Sequence, residues 1–105
     1  MTDQERQDIK AKLIGLGIWG PHELGDPLTS KEDAQVVQSR LHEQLANDVL
    51  LSSTGYVGGT LARQVEVVRG EFTYQLADGD TYSEALCLAA IALPEFLRQH
   101  PECAA

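Results

Sequence analysis

The spacing of apolar positions changes twice along this chain, from helical to alternating near residue 48 and back to helical after residue 80. The longest apolar run is Thr81 to Leu97, TYSEALCLAAIALPEFL. Within it, Ala85, Leu86, Leu88, Ala89, Ile91, Ala92 and Leu93 leave almost no polar face before Pro94. A helix apolar on nearly all sides is covered by other elements, so the rest of the chain is expected to lie against this one. Thr81 and Glu84 form a capping box at its start. Asp78 and Asp80 precede it, where the positive end of the helix dipole favours carboxylates. Pro94 is expected to kink or restart the helix. Phe96 and Leu97 close the core, and residues 98–105 form a frayed tail.

Two earlier stretches carry the same start signal. Thr2 and Glu5 open a helix running to about Leu16, with Ile9, Leu13 and Leu16 on one face and Arg6, Lys10 and Lys12 on the solvated side. Thr29 and Glu32 open a second, to about Ala46. There Ala34, Val37, Leu41 and Leu45 repeat at helical spacing with Val36 on the flank, and Lys31, Asp33, Gln35, Gln38, Arg40, Glu43 and Gln44 form the wet side. Between the two helices, residues 17–28 hold three glycines and two prolines, which forbid a regular element. The only tryptophan, Trp19, sits in this loop. It reads either as a side chain folded over the core that pins the loop, or as an exposed anchor for a partner.

Residues 48–53 read as a strand, and so do 61–69 and 71–77, with Val65 and Val67 alternating against Gln64 and Glu66. A two-residue turn at Arg69-Gly70 would pair Val67 with Phe72, Val65 with Tyr74 and Arg63 with Leu76. Glu66 would then face Thr73 and Gln64 would face Gln75. Apolar meets apolar on one face and polar meets polar on the other, as an antiparallel pair with one buried face requires.

The predicted order is helix, helix, strand, strand, strand, helix: an α+β fold with a three-stranded antiparallel meander. Its 105 residues suffice for one domain. Within it, 1–28 supply the first helix and the Gly/Pro loop, 29–97 the core and 98–105 the tail. Sixteen acids against eight bases give a net charge of -8. That disfavours direct binding to nucleic acid and to anionic membranes, and it suits solubility or a basic partner. The acidic, polar N-terminus shows no signal peptide, and no apolar run reaches the length of a membrane span. Cys87 and Cys103 are sixteen positions apart, about 24 Å along a helix. Free thiols in a reducing cytoplasm are expected.

The chemistry-bearing patterns are incomplete. Ser52, Gly55 and Gly58 approach the Gly-rich turn of dinucleotide-binding folds, with Glu71 near the place of a ribose-binding acid. The first glycine is missing, however, and the following segment alternates like a strand. This loop, 52–60, marks a small-molecule or nucleotide module as one alternative. Asp78, Asp80 and Glu84 lack the ligand spacing of an EF-hand and read as turn and cap residues. His22-Glu23 and His42-Glu43 lack the second histidine of a zinc motif. Cys87 falls among apolar residues, where a thiol is unreactive. No catalytic residue, metal ligand or cofactor is assigned, and no enzymatic activity is expected.

One resemblance stands beside this reading. Glu32-Asp-Ala-Gln-Val-Val37 after a polar cap, strands with short apolar runs, and the closing Thr81-Tyr-Ser-Glu-Ala-Leu-Cys-Leu-Ala-Ala90 resemble the phage ABA sandwich domain family over Thr29 to Leu93. The resemblance implies a phage or prophage origin and layered helices and sheet, and it brings no catalytic residues. The expected function is that of a small acidic accessory protein acting by binding another protein. Trp19, Glu66, Glu71, Asp78 and Asp80 are its expected partner contacts. A narrower alternative is inhibition of a host nucleic-acid-binding defence protein, which predicts carboxylates clustered on one face. An exposed Val68 or an uncovered edge strand would favour a homodimer.

Overall fold

A computed structural model describes residues 2–54 and 63–105. The elements are α1 (Asp3–Gly15), α2 (Lys31–His42), β1 (Val49–Thr54), β2 (Arg63–Arg69), β3 (Phe72–Gly79) and α3 (Tyr82–Gln99). The strands form one antiparallel sheet in the order β1-β2-β3. The expected α+β meander, helices and strands in that order, is the fold of the chain. Among the described residues no helix is long and apolar enough to cross a membrane.

The central role of α3 follows from its composition. It packs against β2 and β3 on one side and against α1 and α2 on others. Ala85, Leu86, Cys87, Ala89, Ala90 and Leu93 are all buried. They join Val65 and Val67 of β2, Val37 and Leu41 of α2, and Ile9 and Leu13 of α1 in one core cluster. Each large aliphatic side chain buried in this way stabilises the fold by about 1.5 to 3 kcal/mol. The helix runs unbroken through Pro94 to Gln99, so the expected interruption is confined to the hydrogen bond that Pro94 lacks the N–H to donate.

Capping sets the helix starts. Thr2 accepts from the Glu5 amide and Thr81 from the Glu84 amide. In α2 the cap is Ser30, not Thr29: its hydroxyl accepts from the Asp33 amide. The C-terminus of α1 closes in a Schellman motif. Gly17 takes φ +74, its amide donates to the Ile14 carbonyl, and the Ile18 amide donates to the Leu13 carbonyl. Leu13 and Ile18, the two residues such a motif brings together, are both buried.

Three sequence expectations are corrected here. The first is the hairpin register. Arg69 pairs with Phe72 and Val67 with Tyr74, so the turn residues are Gly70 and Glu71. Gly70 has φ +59, and among the described residues no non-glycine residue has positive φ. A glycine first in the two-residue turn meets the demand of type II′, whereas a turn at Arg69-Gly70 would place it second. The shift is by two residues, so Val65 and Val67 still point inward. A bulge between Val65 and Glu66 then leaves Leu76 as the extra residue of β3, and Val65 pairs with Ala77.

The second correction is the end of α2 and the third is the tail. The helix ends at His42 because the backbone beyond it is engaged elsewhere. The Ala46 amide donates to the Cys103 carbonyl and the Ala105 amide to the Gln44 carbonyl. Leu45 and Ala104 form an antiparallel bridge. Residues 101–105 are therefore not frayed. Pro101–Cys103 form a 3-10 turn with Cys103 buried.

Candidate functional site

The helices cover the sheet face that carries Val65 and Val67. On the other face, Leu50, Val68 and Thr73 form one cross-strand row and Ser52, Glu66 and Gln75 the next. Leu50 is 60% exposed, while Val68 is half-buried. This row is polar apart from Leu50 and Val68, and no described element covers it.

A deeper depression lies elsewhere, between α1 and α3. Ile91, Pro94, Glu95 and Arg98 follow one another at i, i+3, i+4 and i+7 and form one stripe of α3. Lys12, Gly15 and Leu16 form the facing stripe of α1. The cleft between the two stripes holds about 500 Å³. Gly15 contributes no side chain, which leaves room between the walls. Leu16, expected on the buried face of α1, is instead 43% exposed. It stands at the C-cap, where the chain leaves the helix.

The cleft has an apolar floor of Leu16, Ile91 and Pro94 and a charged rim. Arg98 is paired with Glu95 one turn before it. Lys12 has no ion-pair partner among the described residues. Among the described residues its walls offer apolar contact, the paired Glu95 and Arg98, and the positive charge of Lys12.

The predicted contact residues are scattered by the fold. Trp19 is only 2% exposed, so it is no partner anchor; it closes the core over the Gly/Pro loop. Arg40, expected on the wet side of α2, reaches this loop and donates at 2.7 Å to both the Ile18 carbonyl and the Glu23 carboxylate. That hydrogen bond holds the Glu23 carboxyl below its ordinary range. Glu66 and Asp78 share the outer sheet face, Asp78 paired with Gln64. Glu71 lies in the hairpin turn at one end of the sheet and Asp80 beyond β3 at the other. Acids occur on every helix as well, so we rest no reading on an acidic face.

Cys87 is fully buried, and burial pushes its thiol up to about 12. Burial also raises the Cys103 thiol. Among the described residues no three His, Cys, Asp or Glu side chains gather as a metal site. Gly55 and Gly58 of the Gly-rich loop lie outside the described residues, and beyond it the chain is strand β2.

The stripe on α3 was present in the sequence as Ile91, Pro94, Glu95 and Arg98, but nothing in the local pattern paired it with α1. Comparison with family models, with characterised proteins and with solved structures returns no match for this chain. The resemblance to the phage ABA sandwich domain family therefore stands on the sequence pattern alone.

Proposed function

We propose that this protein acts by binding another protein, and that the cleft between α1 and α3 receives it. The observation that supports this reading is the apolar floor of Leu16, Ile91 and Pro94, left open at the surface while the neighbouring Leu13 and Leu93 are fully buried. Its shape suits one or two apolar side chains of a partner segment, the kind of pocket around which binding energy concentrates. Lys12 at the rim favours a segment that also carries a carboxylate. Such a partner fits the proposed role of a small accessory protein of phage origin.

Leu16→Asp tests the reading, because Leu16 is exposed and its replacement leaves the core intact. The wild-type protein is expected to retain a partner from host lysate that the Leu16→Asp protein does not. A partner retained equally by both, or none retained by either, overturns the assignment.

A second copy of the chain is the competing occupant, favoured by the exposed Leu50 beside Val68 on the open sheet face. Light scattering during size-exclusion chromatography separates the two. A dimer dissolved by Leu50→Asp and indifferent to Leu16→Asp would assign the self-association to the sheet.

A further inference from the structure

A second cavity opens where α2 and α3 begin, on the opposite flank of α2 from the Trp19 loop's contact with Arg40. It holds about 380 Å³ and is lined by Lys31, Gln35, Ser53, Arg63 and Tyr82. Lys31 is the first residue of α2, and Gln35 lies one turn on, on the same face. Ser53 is near the end of β1, and Arg63 is the first residue of β2. Tyr82 opens α3, and its hydroxyl donates to Gln38 of α2, which ties the two helices together beside the cavity.

The charge of this cavity runs against that of the chain. Acids outnumber bases two to one, yet among the described residues two cations and no carboxylate line it. Arg40, Arg69 and Arg98 each have a carboxylate within ion-pair distance. Lys31 and Arg63 have none among the described residues. Two cations without a carboxylate partner among the described residues line one cavity together with a hydroxyl and an amide, a set of donors suited to phosphoryl oxygens. The Tyr82 hydroxyl is already committed to Gln38, so Tyr82 offers its ring as a wall. The volume exceeds what a bare phosphate needs and lies within the range of small-ligand sites.

We infer that this cavity binds a phosphate-bearing small molecule, with Lys31 and Arg63 holding the phosphoryl group and Gln35 and Ser53 completing its hydrogen bonds. The site is separate from the cleft of α1 and α3 and does not depend on its role.

The test is a titration of the intact, isotopically labelled chain at low salt with two probes, inorganic phosphate and ADP, read by amide chemical shifts and by calorimetry. Saturable binding is expected, with shifts centred on Lys31, Gln35, Ser53 and Tyr82. The double variant Lys31→Gln/Arg63→Gln is expected to bind at least tenfold more weakly. Both residues are exposed, so the variant should stay folded, which circular dichroism checks; each single variant is expected to fall between. Arg6→Gln on α1 removes the same charge elsewhere and should leave binding unchanged. Tighter binding of ADP than of phosphate assigns the cavity to a nucleotide-like ligand, and equal binding assigns it to the phosphoryl group alone. No saturable binding of either probe overturns the inference. So does binding that survives the double variant, or binding that Arg6→Gln weakens as much.

Discussion

The guanidinium of Arg40 lies 5.7 Å from the centre of the Trp19 ring. From there it donates to the Ile18 carbonyl and the Glu23 carboxylate, so one side chain of α2 holds three residues of the loop between α1 and α2. Further along the loop, the Asp26 amide donates to the Asp33 carboxylate and Lys10 donates to the Gly25 carbonyl. The Trp19 indole N–H is buried without an acceptor among the described residues, so packing and the cation above it hold the ring.

Arg40→Ala should therefore loosen the loop and lower stability by about 1.5 kcal/mol, the scale of a charge-assisted hydrogen bond to a carbonyl. Urea unfolding followed by Trp19 fluorescence measures it, and the native emission should also shift as the ring gains water. Arg40→Lys should recover only part of the loss, because a compact, strongly hydrated ammonium does not replace the planar guanidinium beside the Trp19 ring.

The same contact gives a pH dependence of known sign. The hydrogen bond from Arg40, helped by the Gly20 amide, keeps the folded Glu23 carboxyl below its ordinary 4.5. A group lowered on folding contributes stability that is complete above its unfolded value and is lost as pH falls through the folded one. Wild type should thus melt higher than Glu23→Gln at neutral pH, and the gap should close as the pH drops below the ordinary carboxylate range. A gap that stays constant into acid would mean that the Glu23 charge is not what matters.

Both thiols should be silent in the native protein. Cys87 is enclosed by the core with its thiol raised to about 12, and Cys103 is buried where the tail docks on residues 44–46. A chromogenic thiol reagent should find neither at mildly alkaline pH and both in denaturant. At intermediate denaturant Cys103 should react first, because releasing the tail from residues 44–46 exposes it, whereas Cys87 needs α3 to leave the sheet. Cys87→Ser should cost about 1 to 3 kcal/mol, since it buries a hydroxyl in an apolar setting.

Gly70→Ala should destabilise the hairpin by about 1 to 2 kcal/mol, the cost of a left-handed conformation for an L-residue. A Cβ at Gly70 meets nothing within 4 Å, so the penalty is conformational and has no steric part. Gly70→Asn should cost less, because asparagine tolerates this region. Thermal melts of the two variants decide it.

What was legible in the sequence was local. Thr2 and Thr81 announced their helices, and the alternation about Val65 and Val67 announced a strand with one buried face. The register was not legible from that alternation, because a shift of two residues keeps every side chain on its face. Only the placement of Gly70 within the turn separates the two registers. The bulge at Leu76 had no signal at all. Arg40 was read by its type as a solvated residue, although its long stem allows it to reach the loop. The cleft was hidden for a different reason. Each of its walls is a visible stripe, but Leu16 and Ile91 stand far apart in sequence, and only the packing of α1 on α3 makes them neighbours.

That packing has a consequence for how the cleft behaves in time. Ile9 and Leu13 of α1 are buried and Ile14 packs partly buried against the core, so one wall of the cleft is anchored by few side chains while the other belongs to the most enclosed helix of the fold. The amide hydrogens of α1 should exchange with solvent far sooner than those of α3, through excursions in which α1 lifts away and leaves the sheet and α3 intact. The width of the cleft is then a fluctuating quantity. A partner that grips both walls would record its arrival as slowed exchange along α1, residues away from any contact it makes.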